Sequence, residues 1–303
     1  MNSLVSKSGL VINSYAKLNL QLAVLGRRSD GYHGLETVFE KISLHDKIIL
    51  KSLSDKKIKI ACNYSGIPNN SSNLAYKSAK LLQDKFNLDK GIHIEIIKSI
   101  PVGSGMGGGS SNAAAVLTGL NTLWRLKLNQ RQLAAFAKQL GSDVPFFIHK
   151  TAFAIGTGRG DQISAIKALS KQKFWHILAV PRIKVSTPLI YKKWDELNSS
   201  VNKTGRLTMR GCNVKMLTSA LKKKDLFLIN NALFNDLEEA AVNLYPCINQ
   251  IKEELSELGV KSILMSGSGP AVFGIVSSRK EAVNLSVKLK KKSFWRIFIA
   301  RTL

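Results

Sequence analysis

Acidic side chains are scarce in this chain of 303 residues: Asp and Glu number 20 against 45 Lys and Arg, and none lies between Gly109 and Ser142. Cysteine is almost missing. Cys62, Cys212 and Cys247 are an odd, widely spaced set with no CxxC pair, which argues against a disulfide framework and a zinc site. All three are expected to be small buried apolar residues. No run of residues reaches the length of a membrane-spanning helix, and Met1 to Leu10 hold no apolar stretch of signal-peptide length. A cytoplasmic protein without a membrane partner is therefore expected. Internal repeats and low-complexity linkers are also missing.

What is present is ordinary globular composition, with 45% hydrophobic and 21% charged residues. The length exceeds what one hydrophobic core usually serves, so two domains with a cleft between them are expected. The net charge of +25 fits either an anionic substrate or a nucleic-acid or membrane surface. Residues 1–161 carry 21 basic and 10 acidic side chains and residues 162–303 carry 24 and 10, so the excess is spread out and forms no tail. Lys222-Lys223-Lys224 and Lys290-Lys291-Lys292 read as solvated faces. A lysine-rich genome would give the same excess.

Ala16, Leu18, Leu20 and Leu22 alternate with Lys17, Asn19 and Gln21, the period of a half-buried strand that points Lys17 and Asn19 the same way. After a turn at residues 27–31, strands are predicted over 37–42 and 47–50, a helix over 73–86 and a strand over 92–100. Helical spacing resumes from Ala113 to Leu123 and again over 130–140, with Gly141 as the stop. Residues 152–155, the turn 157–160 and the apolar stretch after it read as a hairpin. In the second half, strands are predicted near 176–180, 263–265 and 271–276, and helices near 191–197, 236–242, 248–258 and 279–290. The incomplete strand–helix alternation indicates an α+β fold rather than a doubly wound parallel sheet.

Between the 92–100 strand and the helix from Ala113 lie Pro101, Val102, Gly103, Ser104, Gly105, Met106, Gly107, Gly108, Gly109, Ser110 and Ser111. Glycines let successive backbone N–H groups approach an anion, the helix N-terminus adds a favourable dipole, and the two serines supply hydroxyls. A plain turn before a helix would need neither five glycines nor a Ser-Ser entry. Gly103, Gly105 and Gly108 satisfy the dinucleotide fingerprint, but that motif wants an acidic residue about 20 positions on, where none occurs. The ATPase loop needs Lys after its last glycine, and here Ser110 follows Gly109. The HRD and DFG sequences of protein kinases are lacking.

The loop resembles the second motif of the kinase superfamily that includes galactokinase, homoserine kinase, mevalonate kinase and phosphomevalonate kinase. Tyr15-Ala16-Lys17-Leu18-Asn19 resembles its first strand, and Met265-Ser266-Gly267-Ser268-Gly269-Pro270 its C-terminal glycine loop. Over nearly the whole chain the resemblance is closer to the family that phosphorylates the 2-hydroxyl of 4-diphosphocytidyl-2-C-methyl-D-erythritol in non-mevalonate isoprenoid synthesis. Ala16-Lys17-Leu18-Asn19-Leu20, Arg28-Ser29-Asp30-Gly31-Tyr32-His33 and Gly141-Ser142-Asp143-Val144-Pro145-Phe146-Phe147 carry it. Gly-Gly-Gly-Ser-Ser-Asn replaces the commoner Gly-Leu-Gly-Ser-Ser-Ala of the superfamily.

The resemblance implies a ribosomal-S5-like N-terminal domain, 1–165, that binds ATP on residues 101–111. It also implies a ferredoxin-like C-terminal domain, 166–303, that shapes the substrate site, with ATP and substrate meeting in the cleft. Asp143, which by position alone would serve equally as a helix cap, becomes the base for the acceptor hydroxyl. Lys17, ordinarily a solvated lysine, becomes the cation beside that carboxylate. Asn19, Tyr32 and His33 become the cytidine diphosphate site, with Tyr32 stacking on the base and His33 reading its edge. Tyr191 offers a second stacking face, and Gly267 and Ser268 shape the substrate and phosphate region. Mg²⁺ accompanies ATP, and Ser110 or Ser111 is placed to contact it, but no dedicated metal ligand is indicated. His45, His93, His149 and His176 read as structural. Two rivals remain: another kinase of the superfamily, which would not need Tyr32 and His33, and a nucleic-acid-binding protein, which would leave the glycine loop and Asp143 without a role.

Overall fold

The computed structural model describes residues 3–6, 9–202, 212–292 and 294–303. The chain forms two compact units that interleave along the sequence. One comprises Met1–Ala16, His45–Val102 and Gly107–Lys150, the other Lys17–Leu44, Gly103–Met106 and Thr151–Leu303. In chain order the elements up to residue 150 are β1 (Ser3–Ser6), β2 (Gly9–Arg27), β3 (His33–Leu53), β4 (Ile58–Cys62), α1 (Leu74–Lys85), β5 (Gly91–Ile97), α2 (Gly108–Leu123), α3 (Gln130–Leu140) and α4 (Val144–Ile148). From residue 151 they are β6 (Phe153–Thr157), β7 (Gln162–Ala165), β8 (Trp175–Val180), α5 (Thr187–Asn202), α6 (Val214–Lys223), α7 (Leu226–Ala232), β9 (Phe234–Asn235), α8 (Glu238–Leu244), α9 (Cys247–Glu257), β10 (Ser262–Met265), β11 (Val272–Val276), α10 (Arg279–Lys292) and β12 (Arg296–Arg301). The fold is α+β.

In the first unit β3 pairs antiparallel with β5, from Lys47 opposite Ile97 to Leu53 opposite Gly91, and β4 pairs parallel with β5. Ile48, Leu50, Ile92 and Ile94 are buried, as are Leu82 of α1 and Val116, Leu117 and Leu120 of α2. Caps set the helix ends. The Asn73 side chain accepts from the Ala75 N–H to start α1, and Asn129 and Gln132 form a reciprocal capping box at α3, which stops at Gly141. Each such cap stabilises its helix by about 1 kcal/mol.

The second unit has the four-stranded antiparallel sheet β10-β11-β8-β12. With β8 as first strand, its order is 4-1-3-2, and α5 to α9 fall between the first two strands and α10 between the last two. This is the ferredoxin-like arrangement. Ile177, Ala179 and Val272 of the sheet join Ile248, Ile251, Leu255, Leu285 and Leu289 of α9 and α10 in one buried cluster. In the same unit β6 pairs with β3, β7 with β6, and β9 runs parallel to β2 at Gln21 and Leu22.

Several elements depart from the sequence pattern. The two strands expected over 37–42 and 47–50 are one strand, and the Asp46 carboxylate between them accepts from the Ser99 and Ile100 N–H groups. Strand β4 and helices α6 and α7 were not expected. Strand β2 begins at Gly9, and Lys17, Asn19 and Gln21 are as buried as the leucines between them, so the strand is covered on both faces rather than one. Cys62, Cys212 and Cys247 are partly rather than fully buried. His176 is fully buried against Glu40, at 2.9 Å from Nε2 to Oε1.

Candidate active site

In the first unit the glycine loop enters α2 through Gly107, a left-handed N-cap that brings no side chain to the first-turn N–H groups. Those groups and the helix dipole are what an anion meets at a helix start. Below the loop the buried Asp46 carboxylate accepts from the Ser99 and Ile100 N–H groups at 2.7 and 2.8 Å and from the Lys98 ammonium. This fixes the segment that delivers Pro101. The two serines behave differently. Ser110 is half-buried, whereas Ser111 is fully buried with its Oγ 2.8 Å from that of Ser14, and Ser14 lies 2.7 Å from Asn112 Oδ1. A hydroxyl has one proton to give, so Ser111 donates to Ser14 and Ser14 to Asn112.

Asp143 stands at the N-cap of α4 with φ −80° and ψ −17°, and its side chain makes no capping hydrogen bond. The helix start is set by Pro145 instead. The carboxylate is partly exposed.

In the second unit, Lys17 lies at the centre of a buried polar row. The residue is 3% exposed, and its ammonium donates to Asn19 Oδ1 at 2.5 Å. Asn19 Nδ2 in turn donates to Thr37 Oγ1 at 2.8 Å, and Thr37 to the Gln21 carbonyl at 2.6 Å. The ammonium also stands 5.5 Å from the Phe39 ring centre. Holding the carboxamide this way settles its oxygen toward Lys17 and its nitrogen toward Thr37. The solvated lysine expected of a lone strand position is not what the structure has.

The tip of the first glycine loop belongs to this unit. The Lys17 N–H donates to the Met106 carbonyl at 3.0 Å, the Ala271 N–H to the Ser104 carbonyl at 3.2 Å, and Ser266 Oγ to the Gly105 carbonyl at 3.3 Å. A Cβ at Gly267 would lie 3.0 Å from the Gly105 carbonyl oxygen, 3.2 Å from Lys17 Nζ and 3.4 Å from Asn19 Oδ1. Thus Lys17, Asn19, residues 104–106 and Gly267 form one neighbourhood. Asn235 of β9 supports it by donating to the Met265 and Gly267 carbonyls at 2.9 and 2.8 Å. Ser268 Oγ lies 2.8 Å from Thr187 Oγ1 at the start of α5.

Tyr32 and His33 follow the turn at Arg28–Gly31, where Asp30 Oδ1 accepts the Tyr32 N–H. Tyr32 is 57% exposed, with the Arg159 guanidinium 5.1 Å from its ring centre. His33 is turned inward. Its Nε2 is 2.8 Å from Asp195 Oδ1, and its ring stacks on Tyr191 at 4.8 Å and 22° and meets Trp194 edge-on at 5.7 Å. Tyr191 thus faces His33. Sequence reasoning missed Asn235, Thr37, Thr187 and Asp195, which act through partners distant in the chain. The spacing of Tyr191, Trp194 and Asp195 on one helix face was the available signal.

Burial pushes the Cys212 thiol up to about 12, with the Glu36 carboxylate adding to the rise, so it is no nucleophile at neutral pH. Among the described residues no group of three or more His, Cys, Asp or Glu could hold a metal ion. A phosphate-borne Mg²⁺, which keeps most of its oxygen ligands from water and nucleotide, needs no such cage. Among the described residues no helix is long and apolar enough to cross a membrane.

Residues 73–151 match the GHMP kinases N terminal domain and residues 217–294 the GHMP kinases C terminal domain. The chain is 39% identical over 284 residues to the 4-diphosphocytidyl-2-C-methyl-D-erythritol kinase of Alkaliphilus metalliredigens, covering 92% of this chain and 94% of that one. It is 41% identical over 267 residues to the kinase of the same name from Bacillus cereus, covering 88% of each chain. A crystal structure of 4-(cytidine 5'-diphospho)-2C-methyl-D-erythritol kinase superposes with a TM-score of 0.80 at 30% identity, over 96% of this chain and 98% of that one. The L. major mevalonate kinase, at 16% identity, shares the fold with a TM-score of 0.74 over 99% of this chain and 98% of its own.

Proposed function

The chain belongs to the family of 4-diphosphocytidyl-2-C-methyl-D-erythritol kinases, and we propose that Lys17, Asp143 and the two glycine loops carry out its reaction. The enzyme phosphorylates the 2-hydroxyl of 4-diphosphocytidyl-2-C-methyl-D-erythritol in the non-mevalonate route to isoprenoid precursors, with ATP as co-substrate.

Residues 101–111 hold the ATP phosphates, with backbone N–H groups of the loop and the start of α2 as donors and Ser110 as the accessible hydroxyl. Ser111 contributes by fixing the helix entry through Ser14. Ser110 is the residue of this chain suited to reach a divalent metal, Mg²⁺, which would supply positive charge against the nucleotide phosphates when bound. Asp143 accepts the proton of the acceptor hydroxyl as its oxygen bonds to the γ-phosphorus and the bond to the β-phosphate oxygen breaks, releasing ADP. The observation that supports this role is that Asp143 lies partly exposed at the start of α4, within the segment that matches the GHMP kinases N terminal domain. Lys17 offsets charge on the transferred group. Asn19 orients the ammonium, Tyr32 and His33 recognise the cytidine end, and Gly267 and Ser268 shape the floor.

ATP consumption with a panel of 4-diphosphocytidyl-2-C-methyl-D-erythritol, mevalonate, homoserine and galactose tests the reading. Turnover is expected with the first alone, and turnover confined to another acceptor would overturn it. The charge of +25 keeps a nucleic-acid role in view. We propose that it has none: duplex binding should be weak at physiological salt, and tight selective binding at about 0.2 M salt would speak for that role.

A further inference from the structure

We propose that Asp195 determines which base the enzyme accepts, by holding His33 in the tautomer that matches cytosine. The proposal rests on the reading that His33 recognises the base edge. Tyr191, Trp194 and Asp195 are spaced i, i+3 and i+4 on α5, so one helix face supplies a stacking partner, an edge contact and a hydrogen-bond acceptor to the same imidazole. That ring comes from the end of the turn before β3, 162 positions from Asp195 in the chain. The side chain of His33 is 8% exposed, so its orientation is set by this seat rather than by solvent.

An ionised carboxylate only accepts hydrogen bonds, so at 2.8 Å from Asp195 Oδ1 the His33 Nε2 atom carries the ring proton. A ring that carries only that proton has a lone pair on Nδ1. Cytosine presents an exocyclic amine, a donor, where uracil presents a carbonyl oxygen. An Nδ1 lone pair accepts from the amine and meets the carbonyl as one acceptor against another. The discrimination therefore depends on a carboxylate that need not touch the substrate, which makes Asp195 a positioning residue.

Asp195→Asn keeps the shape but can donate to Nε2, which moves the ring proton to Nδ1; the same exchange at a carboxylate–histidine pair is known to give the wrong tautomer. We expect the wild-type enzyme to favour the cytidine substrate over its uridine analogue by about 100-fold or more in kcat/KM. Asp195→Asn is expected to shrink that preference at least tenfold. The loss should appear in KM for the cytidine substrate, with kcat, KM for ATP and Tm near wild type. The ¹⁵N shifts of the His33 ring should report the proton on Nε2 in the parent and on Nδ1 in the variant. A purely structural role for Asp195 would lower Tm and weaken both substrates alike, and that outcome overturns the proposal. Full discrimination in Asp195→Asn with its loss in His33→Gln would also overturn it, while leaving the base-recognition reading intact. Full discrimination in both variants would overturn that reading as well.

Discussion

A Cβ on Gly105 would stand 2.1 Å from the carbonyl oxygen of Ser266, so the two glycine loops touch backbone to backbone at a point where no side chain fits. Gly105 also has φ +77°, which an L-residue adopts at a cost of roughly 1–2 kcal/mol. Gly105→Ala is thus expected to displace one loop from the other, raising KM for ATP tenfold or more and lowering Tm. Gly103 has a similar φ of +67° but open space around its Cβ, so Gly103→Ala should show the conformational cost alone. Thermal unfolding and ATP saturation curves of the two variants check the contrast.

Asp143→Asn should reduce kcat by about 10²–10⁴-fold, the usual contribution of a general base, with KM values and Tm little changed. Stability should hold because the substitution nearly preserves the shape of the side chain. Asp225, whose carboxylate does accept the Phe227 and Leu228 N–H groups at the start of α7, is the control. Asp225→Ala should destabilise by about 1 kcal/mol. Wild-type turnover in folded Asp143→Asn would remove Asp143 from the mechanism.

Lys17→Met preserves the length of a buried side chain while deleting its charge. It is expected to lower kcat, because the transferred phosphoryl group would lose a cation that offsets its developing charge. The double variant with Asp143→Asn should lose less than the product of the single losses. Initial rates of all three enzymes test this, and strict multiplicativity would count against a shared transition-state role.

Burial lowers the Lys41 ammonium from 10.5 to about 8. Between those values the unfolded chain keeps a proton that the folded chain has released, so this group makes stability rise with pH from 8 to 10.5. Below pH 8 the full unfavourable effect is present, on the order of 3 kcal/mol. Lys41→Met should remove this rise, and urea unfolding of parent and variant at pH 7 to 10 measures it.

Local signals in the sequence were reliable where the cause was local. Helix α3 ends where Asn129, Gln132 and Gly141 say it should, since caps act within one turn. The glycine loop was legible because its composition and its chemistry have the same source. Helix α6 was hidden by Lys222 and Lys223, although Leu217, Ala220 and Leu221 carry a buried helical stripe. The burial of Lys17 was not legible, because alternation reports one covered face and cannot report a second layer. Nor was the His33 seat, whose members meet only after 162 residues of intervening chain have folded.

A stretch of five glycines is, by composition, the most pliable segment of the chain. Yet the carbonyls of Ser104, Gly105 and Met106 are each held by a donor from a remote strand or loop, namely Ala271, Ser266 and Lys17. The ordering of that tip is therefore completed during folding rather than on ligand arrival. Nucleotide binding should then show little of the unfavourable entropy that accompanies closure of a floppy loop, and its calorimetric signature should be that of a rigid receptor.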